Sequence, residues 1–441
     1  MSKNAIIKGT FILTATGFVT RLIGFFFRMF LSHTFGEEQV GLYQLIFPIY
    51  ALCFSFCTAG IETALSRCVA QKLARGKTRE ADSLLYQALL LSVSLALILS
   101  FLLRKYTTFI SIYILGDLRC EPLITALSYA LPFASVHCCI CGYCFGQKQT
   151  KIPAISQFIE QISRVGAVYL IYILFLHSQM EVSILIAVLG LVAGECISAV
   201  FCVRCFCSDH RTRFSLPALY ASRKLGKELL SLAIPLTSSR VLMNLLQSAE
   251  TISIPLCLQK YGYTNSEALS TYGVLTGMAL PCILFPTALT NSVSTMLLPT
   301  VTEFQAQGNL TRLKQLIQKV LFFGIGMGAV FATIFLLFGS LIGSMLFDSR
   351  LAGDFMRTLA WICPFLYINS TLISILNGLG RANRSFLINA GGLSIRILGV
   401  WVGIRLWGMQ GYLWGLLTSQ LVVSACCMLH LYFFFKITTK K

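Results

Sequence analysis

The chain has 441 residues, of which 56% are hydrophobic and only 12% charged, about half the ~25% charged share of an ordinary soluble domain. With a mean hydropathy of +0.76 there is too little polar surface to cover a globule of this length, so a water-soluble fold is excluded and the bilayer is the solvent. Lys and Arg outnumber Asp and Glu 35 to 17, for a formal net charge of +18. Such a balance points to nucleic acid or to an anionic membrane surface, and the placement of the charges decides between them.

A transmembrane helix needs ~20 mostly apolar residues. Twelve such stretches follow one another, at 7–32, 40–66, 84–103, 123–146, 152–176, 182–206, 229–258, 271–299, 317–342, 357–379, 385–406 and 410–435. They predict an all-α membrane protein. The first is too long for the apolar region of a signal peptide and contains Arg21 and Arg28, so it is expected to stay as helix one. Ahead of the fourth, residues 109–116 are apolar but are interrupted by Gly116, Asp117 and Pro122.

The loop charges separate by side. Lys3 and Lys8, Arg67 to Arg79, Lys148 and Lys151, Arg204 to Lys227, Arg312 to Lys319, Arg381 and Arg384, and Lys436 to Lys441 place 23 positive residues on one side. Seven fall on the other: Arg104, Lys105, Arg119, Lys260, Arg350, Arg357 and Arg405. Cytoplasmic loops hold the excess of Lys and Arg, so both termini are expected in the cytoplasm. The charge then reads as a topology signal and a partner for membrane lipid headgroups, with no nucleic acid required. Most of the 17 cysteines lie in apolar segments, where Cys behaves as a small hydrophobe, and no disulfide framework is expected.

An offset of 232 residues pairs Gly41 with Gly273, Ala74 with Ala306, Gly76 with Gly308, Pro132-Phe133 with Pro364-Phe365, Gly146 with Gly378, and Arg164 with Arg396, without a gap. Shared Gly, Pro and Arg at one offset indicate an internal repeat rather than common composition. Each copy holds six helices, an even number, so the copies keep one orientation and relate by an axis along the membrane normal. The expected domains are an N-terminal six-helix bundle at 1–206, a basic cytoplasmic linker at 207–228 and a C-terminal bundle at 229–441. A central cavity is expected between them, as in transporters built from repeats.

Ionisable residues inside a span cost ~2.5–3.5 kcal/mol on insertion scales, so they face a partner or a wet cavity. Nine occur: Arg21, Arg28, Glu62, Glu160, Arg164, Glu195, Arg240, Glu250 and Arg396. Thr10, Thr14, Gly17, Arg21, Gly24 and Arg28 share one stripe of helix one; Thr237, Arg240, Asn244, Gln247 and Thr251 share a stripe of helix seven, with Glu250 at its edge. The repeat makes these helices equivalent, so both stripes are expected to line the shared cavity. Arg21, Arg28, Arg240, Asn244 and Gln247 are the candidate substrate-binding residues, with snorkelling to the outer interface the competing reading for Arg28. Glu62 and Glu250 are candidate counter-ions for Arg21 and Arg240, or titrate with transported protons. Glu160 and Arg164, one helical turn apart, are expected to neutralise one another, while for Arg396 and Glu195 pairing within the bundle and a place in the cavity stand equal. A permanently charged planar fork suits phosphate and carboxylate, so the arginines point to an anionic ligand.

Other constellations carry less. Cys138, Cys139, Cys141 and Cys144 include C-x-x-C spacing but fall inside a span, where small residues let helices pack closely. Cys202, Cys205, Cys207 and His210 lack a second ligand cluster. No metal or cofactor is expected, with coupling to Na⁺ or H⁺ left open. No Walker loop or Ser-His-Asp arrangement occurs, so enzyme chemistry is unsupported. Pro48, Pro132, Pro235, Pro255, Pro281, Pro286 and Pro364 lie inside or at the ends of spans, as hinges or static kinks.

The stretch from Thr20 to Arg67, with TRLIGFFFR, FGEEQVGLYQLIFPIY and TAGIETALSR, resembles the stage V sporulation protein B family of the multidrug, oligosaccharidyl-lipid and polysaccharide exporter superfamily. YGVLTGMALPCILFPTALTNSVSTMLLPTVTE, from Tyr272 to Glu303, is similar to the start of that family's second half. The resemblance implies two six-helix bundles around a central cavity and export of lipid-linked sugars for the cell wall by alternating access. It also implies that Arg21 and Arg28 help hold the lipid diphosphate. Relatives commonly carry two further C-terminal helices, associated with the lipid tail, and an uncharged residue, often proline, where Glu62 stands. The expected protein is a flippase of the bacterial cytoplasmic membrane. It would move an undecaprenyl-diphosphate-linked saccharide, a peptidoglycan precursor, to the outer leaflet in cell-wall or spore-envelope synthesis, alongside cell-wall synthesis proteins. The competing readings are a cation-coupled drug exporter and a non-transporting envelope-assembly scaffold.

Overall fold

The computed structural model describes residues 3–177, 183–209, 223–307 and 310–438. Among them there is no strand. In hydrocarbon a backbone must satisfy its own polar groups, and an apolar segment does so by winding into a helix. In chain order the helices are α1 (Lys3–Leu45), α2 (Phe47–Phe54), α3 (Gly60–Ala74), α4 (Thr78–Lys105), α5 (Thr107–Phe109), α6 (Cys120–Ser128), α7 (Ala130–Gly146), α8 (Lys151–His177) and α9 (Leu185–Asp209). They continue with α10 (Arg223–Tyr261), α11 (Asn265–Gly273), α12 (Leu280–Leu284), α13 (Thr287–Ala306), α14 (Leu310–Phe347), α15 (Arg350–Leu359), α16 (Cys363–Gly378), α17 (Ala382–Leu398), α18 (Ile404–Trp407) and α19 (Met409–Thr438).

Eleven runs among the described residues are long and apolar enough to cross a membrane. The first, Ile12–Ala74, has 63 residues, about 95 Å at 1.5 Å per residue, some three times a hydrocarbon core. Gly36, with φ 74° and ψ 176°, breaks it, so this run holds two of the twelve expected spans. A side chain would strain that backbone; glycine does not. The chain is a multi-pass, all-α membrane protein. Much of the expected linker, including Arg211, Arg213 and Pro217, lies at 210–222, outside the described residues.

The repeat is written in the backbone as well as the sequence. Gly116 and Asp348, 232 residues apart, both take positive φ, 77° and 52°. So do Lys148 and Gly380, at 62° and 73°. The break between α6 and α7 at Tyr129 recurs at the tight turn Ala360–Ile362 that leads into α16. Pro281 follows directly on the wide turn Val274–Ala279, whereas Pro48, Pro132 and Pro364 fall in the first turn of a helix, where the missing N–H has no intrahelical partner to lose. They set helix starts, while Pro235 and Pro255 lie inside α10.

By internal contacts the chain forms two units: Met1–Phe27 with Leu42–Ser248, and Arg28–Gly41 with Ala249–Lys441. In the first, Leu65, Cys68 and Val69 of α3, Leu84 and Leu85 of α4, Tyr143 of α7 and Leu229 of α10 form a buried core. In the second, Val301 of α13, Leu313 of α14, Leu372 and Ile375 of α16 and Cys427 of α19 do the same. Many of the largest apolar side chains point outward instead, Phe322 at 81% exposure and Leu170 at 63%, as expected where the surroundings are acyl chains.

Residues Arg28–Gly41 are pinned into the second unit by their own polar groups. Ser270 and Ser349 donate to the two oxygens of Glu37, at 2.6 and 2.5 Å, and Ser32 donates to the Phe347 carbonyl at 3.1 Å. Gly41 lies against the backbone of Gly273, and a Cβ on Gly273 would fall 2.6 Å from the Gly41 nitrogen.

Candidate functional site

The helix-seven stripe is built onto α2 and α3. Between them, Ser55–Ala59 winds as a wide π-turn, and such turns release carbonyls from the regular ladder. Asn244 of α10 donates to the Ser55 hydroxyl and, at 3.4 Å, to the Ala51 carbonyl. Ser248 donates to the Pro48 carbonyl at 3.1 Å. Thr237 lies against Gly60, where a Cβ would come within 2.5 Å of the Thr237 nitrogen. Asn244 and Thr237 therefore stitch helices together. Arg240 and Gln247 are exposed, with Arg240 Nη2 donating to Thr63 Oγ1 at 3.2 Å. Glu62, half-buried, has its backbone against Gly142 of α7, and no ion pair joins it to another described residue.

The helix-one stripe divides. Arg21 is exposed, and no described residue hydrogen-bonds or ion-pairs with it. Gly24 faces Gln161, whose Nε2 would lie 3.4 Å from an added Cβ. The side chain of Thr10 lies outside the described residues. Arg28 belongs to the second unit, where its Nη1 reaches the Thr276 carbonyl at 3.5 Å. The reason is local. Val274–Ala279 is another wide turn, in which Leu280 N–H bonds Leu275 rather than Thr276. The next donor in that register would be residue 281, which is proline. Arg28 supplies what Pro281 cannot.

Inside the first unit α2, α7, α8 and α9 assemble a buried polar cluster. On α8, Arg164 Nη2 lies 2.5 Å from Glu160 Oε1, the neutralising pair expected from their spacing. His137 of α7 sits at the centre. Its Nε2 is 3.0 Å from Ser156 Oγ; its Nδ1 is 3.3 Å from Ser198 Oγ, 3.6 Å from Glu195 Oε2 and 4.0 Å from Glu160 Oε2. Tyr50 of α2 donates to Glu195 Oε1 at 3.4 Å. Two glycines of α9 permit this closeness, since a Cβ on Gly190 or Gly194 would lie 2.8 Å from the carbonyl of Arg164 or Glu160 respectively. Glu195 lies against His137 within the bundle. His137 and Tyr50 stand outside the pattern of groups charged at neutral pH; an ionisable ring inside an apolar span is the sequence signal that marks them.

In the second unit Glu250, 1% exposed, accepts from Arg396 Nε and from the Tyr412 hydroxyl, each 2.7 Å from its Oε1. Glu250 is thus the counter-ion of Arg396, a correction to the expectation that it serves Arg21 or Arg240. Its Oε2 is buried with no described hydrogen-bond partner. Asn369 donates to Gln420 Oε1 at 2.7 Å and accepts from Ser424 at 2.7 Å, tying α16 to α19.

Comparison with known proteins gives the family and the fold. The family described as Polysaccharide biosynthesis protein matches residues 6–305, and the MatE family matches residues 240–402. The chain is similar to Stage V sporulation protein B of Bacillus subtilis (strain 168), 27% identical over 88% of this chain and 75% of that one. It is 22% identical to Lipid II flippase MurJ of the same organism, over 72% of this chain and 61% of that one. Among solved structures, an inward-facing multidrug resistance MATE family transporter of the MOP superfamily superposes with a TM-score of 0.75 at 14% identity, covering 96% of both chains. The inward closed conformation of Lipid II flippase MurJ gives 0.75 at 14% identity, over 96% of this chain and 87% of that one. The fold is that of these membrane transporters.

Proposed function

Because this chain belongs to the polysaccharide biosynthesis protein family, we propose that it is a flippase for a lipid-linked saccharide. Its substrate is carried on undecaprenyl diphosphate, a peptidoglycan precursor, and moves from the cytoplasmic to the outer leaflet of the bacterial cytoplasmic membrane by alternating access. The observation that carries this reading is Arg21: a permanently charged guanidinium on an apolar helix, paired with no described residue. Such a group in a membrane calls for an anion, and the planar fork matches a diphosphate in two-point contact. Arg240, exposed and bonded to Thr63 through one nitrogen, is the second contact, and Gln247, exposed two turns further along the same stripe, offers an amide. Both termini face the cytoplasm, where the loop charge is concentrated. An interior-negative potential helps an anion outward by ~2.3 kcal/mol per charge per 100 mV. Glu62 is the carboxylate available for coupling to Na⁺ or H⁺. The names of the relatives, a sporulation protein and a lipid II flippase, agree with a role in cell-wall or spore-envelope synthesis, beside cell-wall synthesis proteins.

Reconstitution tests it. Proteoliposomes should translocate fluorescently labelled undecaprenyl-diphosphate saccharide, and Arg21→Ala should abolish this while the purified protein keeps its thermal midpoint. A chain that moves no lipid is a scaffold; one that exports cationic drugs and no lipid is a drug exporter. Either result overturns the proposal.

A further inference from the structure

Two cysteine groupings that look unconnected in the sequence converge on one histidine. His137 and Cys141 stand one turn apart on α7, and Cys202 stands on α9. One ligand atom from each, imidazole nitrogen and two sulfurs, lies within 4.8 Å of the others, and all three residues are buried. Cys141 and Cys202 share an apolar cluster with Ile140 and Cys144, backed by Val136, Ile152 and Phe201. Ser156 of α8, fully buried, adds a hydroxyl 3.0 Å from His137 Nε2 and 3.6 Å from Cys141 Sγ.

We propose that His137, Cys141 and Cys202 bind one Zn²⁺ ion inside the N-terminal unit, with the Ser156 hydroxyl at the fourth position, clamping α7 to α9. Zn–S bonds of ~2.3 Å and Zn–N bonds of ~2.0 Å place tetrahedral ligands about 3.4–3.8 Å apart, so no pair of ligand atoms has to close by more than about 1.4 Å. Thiol and imidazole donors select a thiophilic ion over Na⁺, Mg²⁺ or Ca²⁺. On binding, both thiols release their protons, and two thiolates with a neutral imidazole leave the site uncharged, which an apolar interior tolerates. The other imidazole nitrogen is already oriented: Nδ1 faces Ser198 and Glu195, the outer partners that commonly fix a metal-bound histidine. A second triad, His137 with Glu160 and Glu195, shares the ring. Its carboxylates turn their Oε2 atoms toward Nδ1, at 4.0 and 3.6 Å, on the side of the ring away from the Ser156 contact at Nε2, which leaves Nε2 and the sulfurs to the metal.

The test uses full-length protein in detergent, stripped with a chelator under reducing conditions and titrated with Cd²⁺ as an optical probe. The ultraviolet thiolate-to-cadmium band should saturate at one ion per chain, and Zn²⁺ should displace it. Cys202→Ser and His137→Gln should each weaken Cd²⁺ binding at least tenfold, and Zn²⁺ should raise the thermal midpoint of the unaltered chain but not of these variants. Cys144→Ser, in the same apolar cluster, should bind as before. If Cys202→Ser does not fold, Cys141→Ser carries the same expectation from the other helix. No band, a band lost only with the surface thiol Cys207, or a Cys141–Cys202 disulfide in the isolated protein with no metal uptake after reduction overturns the proposal.

Discussion

Arg396 reaches Glu250 across 146 residues of chain, its Nε 2.7 Å from Glu250 Oε1. Its repeat mate Arg164 takes the carboxylate one turn back on its own helix, Glu160. Equivalent arginines in the two halves are thus neutralised by different routes.

Removing one member of such a pair strands the other, at a cost of about 3–5 kcal/mol for a buried pair. Arg396→Met should lower the thermal midpoint of the detergent-solubilised protein severely. Glu250→Gln, which still accepts from Tyr412, should be milder. Equal midpoints for the two variants would contradict the geometry.

Arg21 and Arg28 share a helix stripe and should separate in experiment. Arg28→Ala leaves the Thr276 carbonyl without its donor, so about 1–3 kcal/mol of stability should be lost. Arg21→Ala should leave the midpoint unchanged while abolishing lipid translocation. Thermal unfolding and a flipping assay on the same preparations distinguish them.

Asn244→Ala removes the donor to Ser55 and Ala51 and should cost about 1–2 kcal/mol, with Asn244→Leu no better, because the loss is of hydrogen bonding rather than volume. Gln247→Ala, exposed on the same stripe, should leave unfolding unaltered.

Gly60→Ala would set a methyl 2.5 Å from the Thr237 nitrogen and 2.8 Å from the Ala233 carbonyl, backbone atoms that cannot step aside. Little folded protein should be recovered. Gly17→Ala, with nothing within 4 Å, should be neutral or gain up to ~1 kcal/mol from helix propensity. Yield and monodispersity by size-exclusion chromatography provide the check.

The sequence by itself determined the membrane class, the apolar spans, the repeat and the Glu160–Arg164 pair. Each follows from composition, from helical spacing or from a constant offset along the chain, and none requires knowing which helices touch. The partners of the other buried groups were settled only by the tertiary structure. Helical period says that Arg21 and Arg28 share a face, yet it carries no word of the wide turn before Pro281 that captures one and leaves the other. It likewise marks Glu250 as buried without naming Arg396, and shows His137, Cys141 and Cys202 as strangers. Periodicity fixes the direction of a side chain about its own axis; what waits in that direction depends on how helices distant in sequence pack.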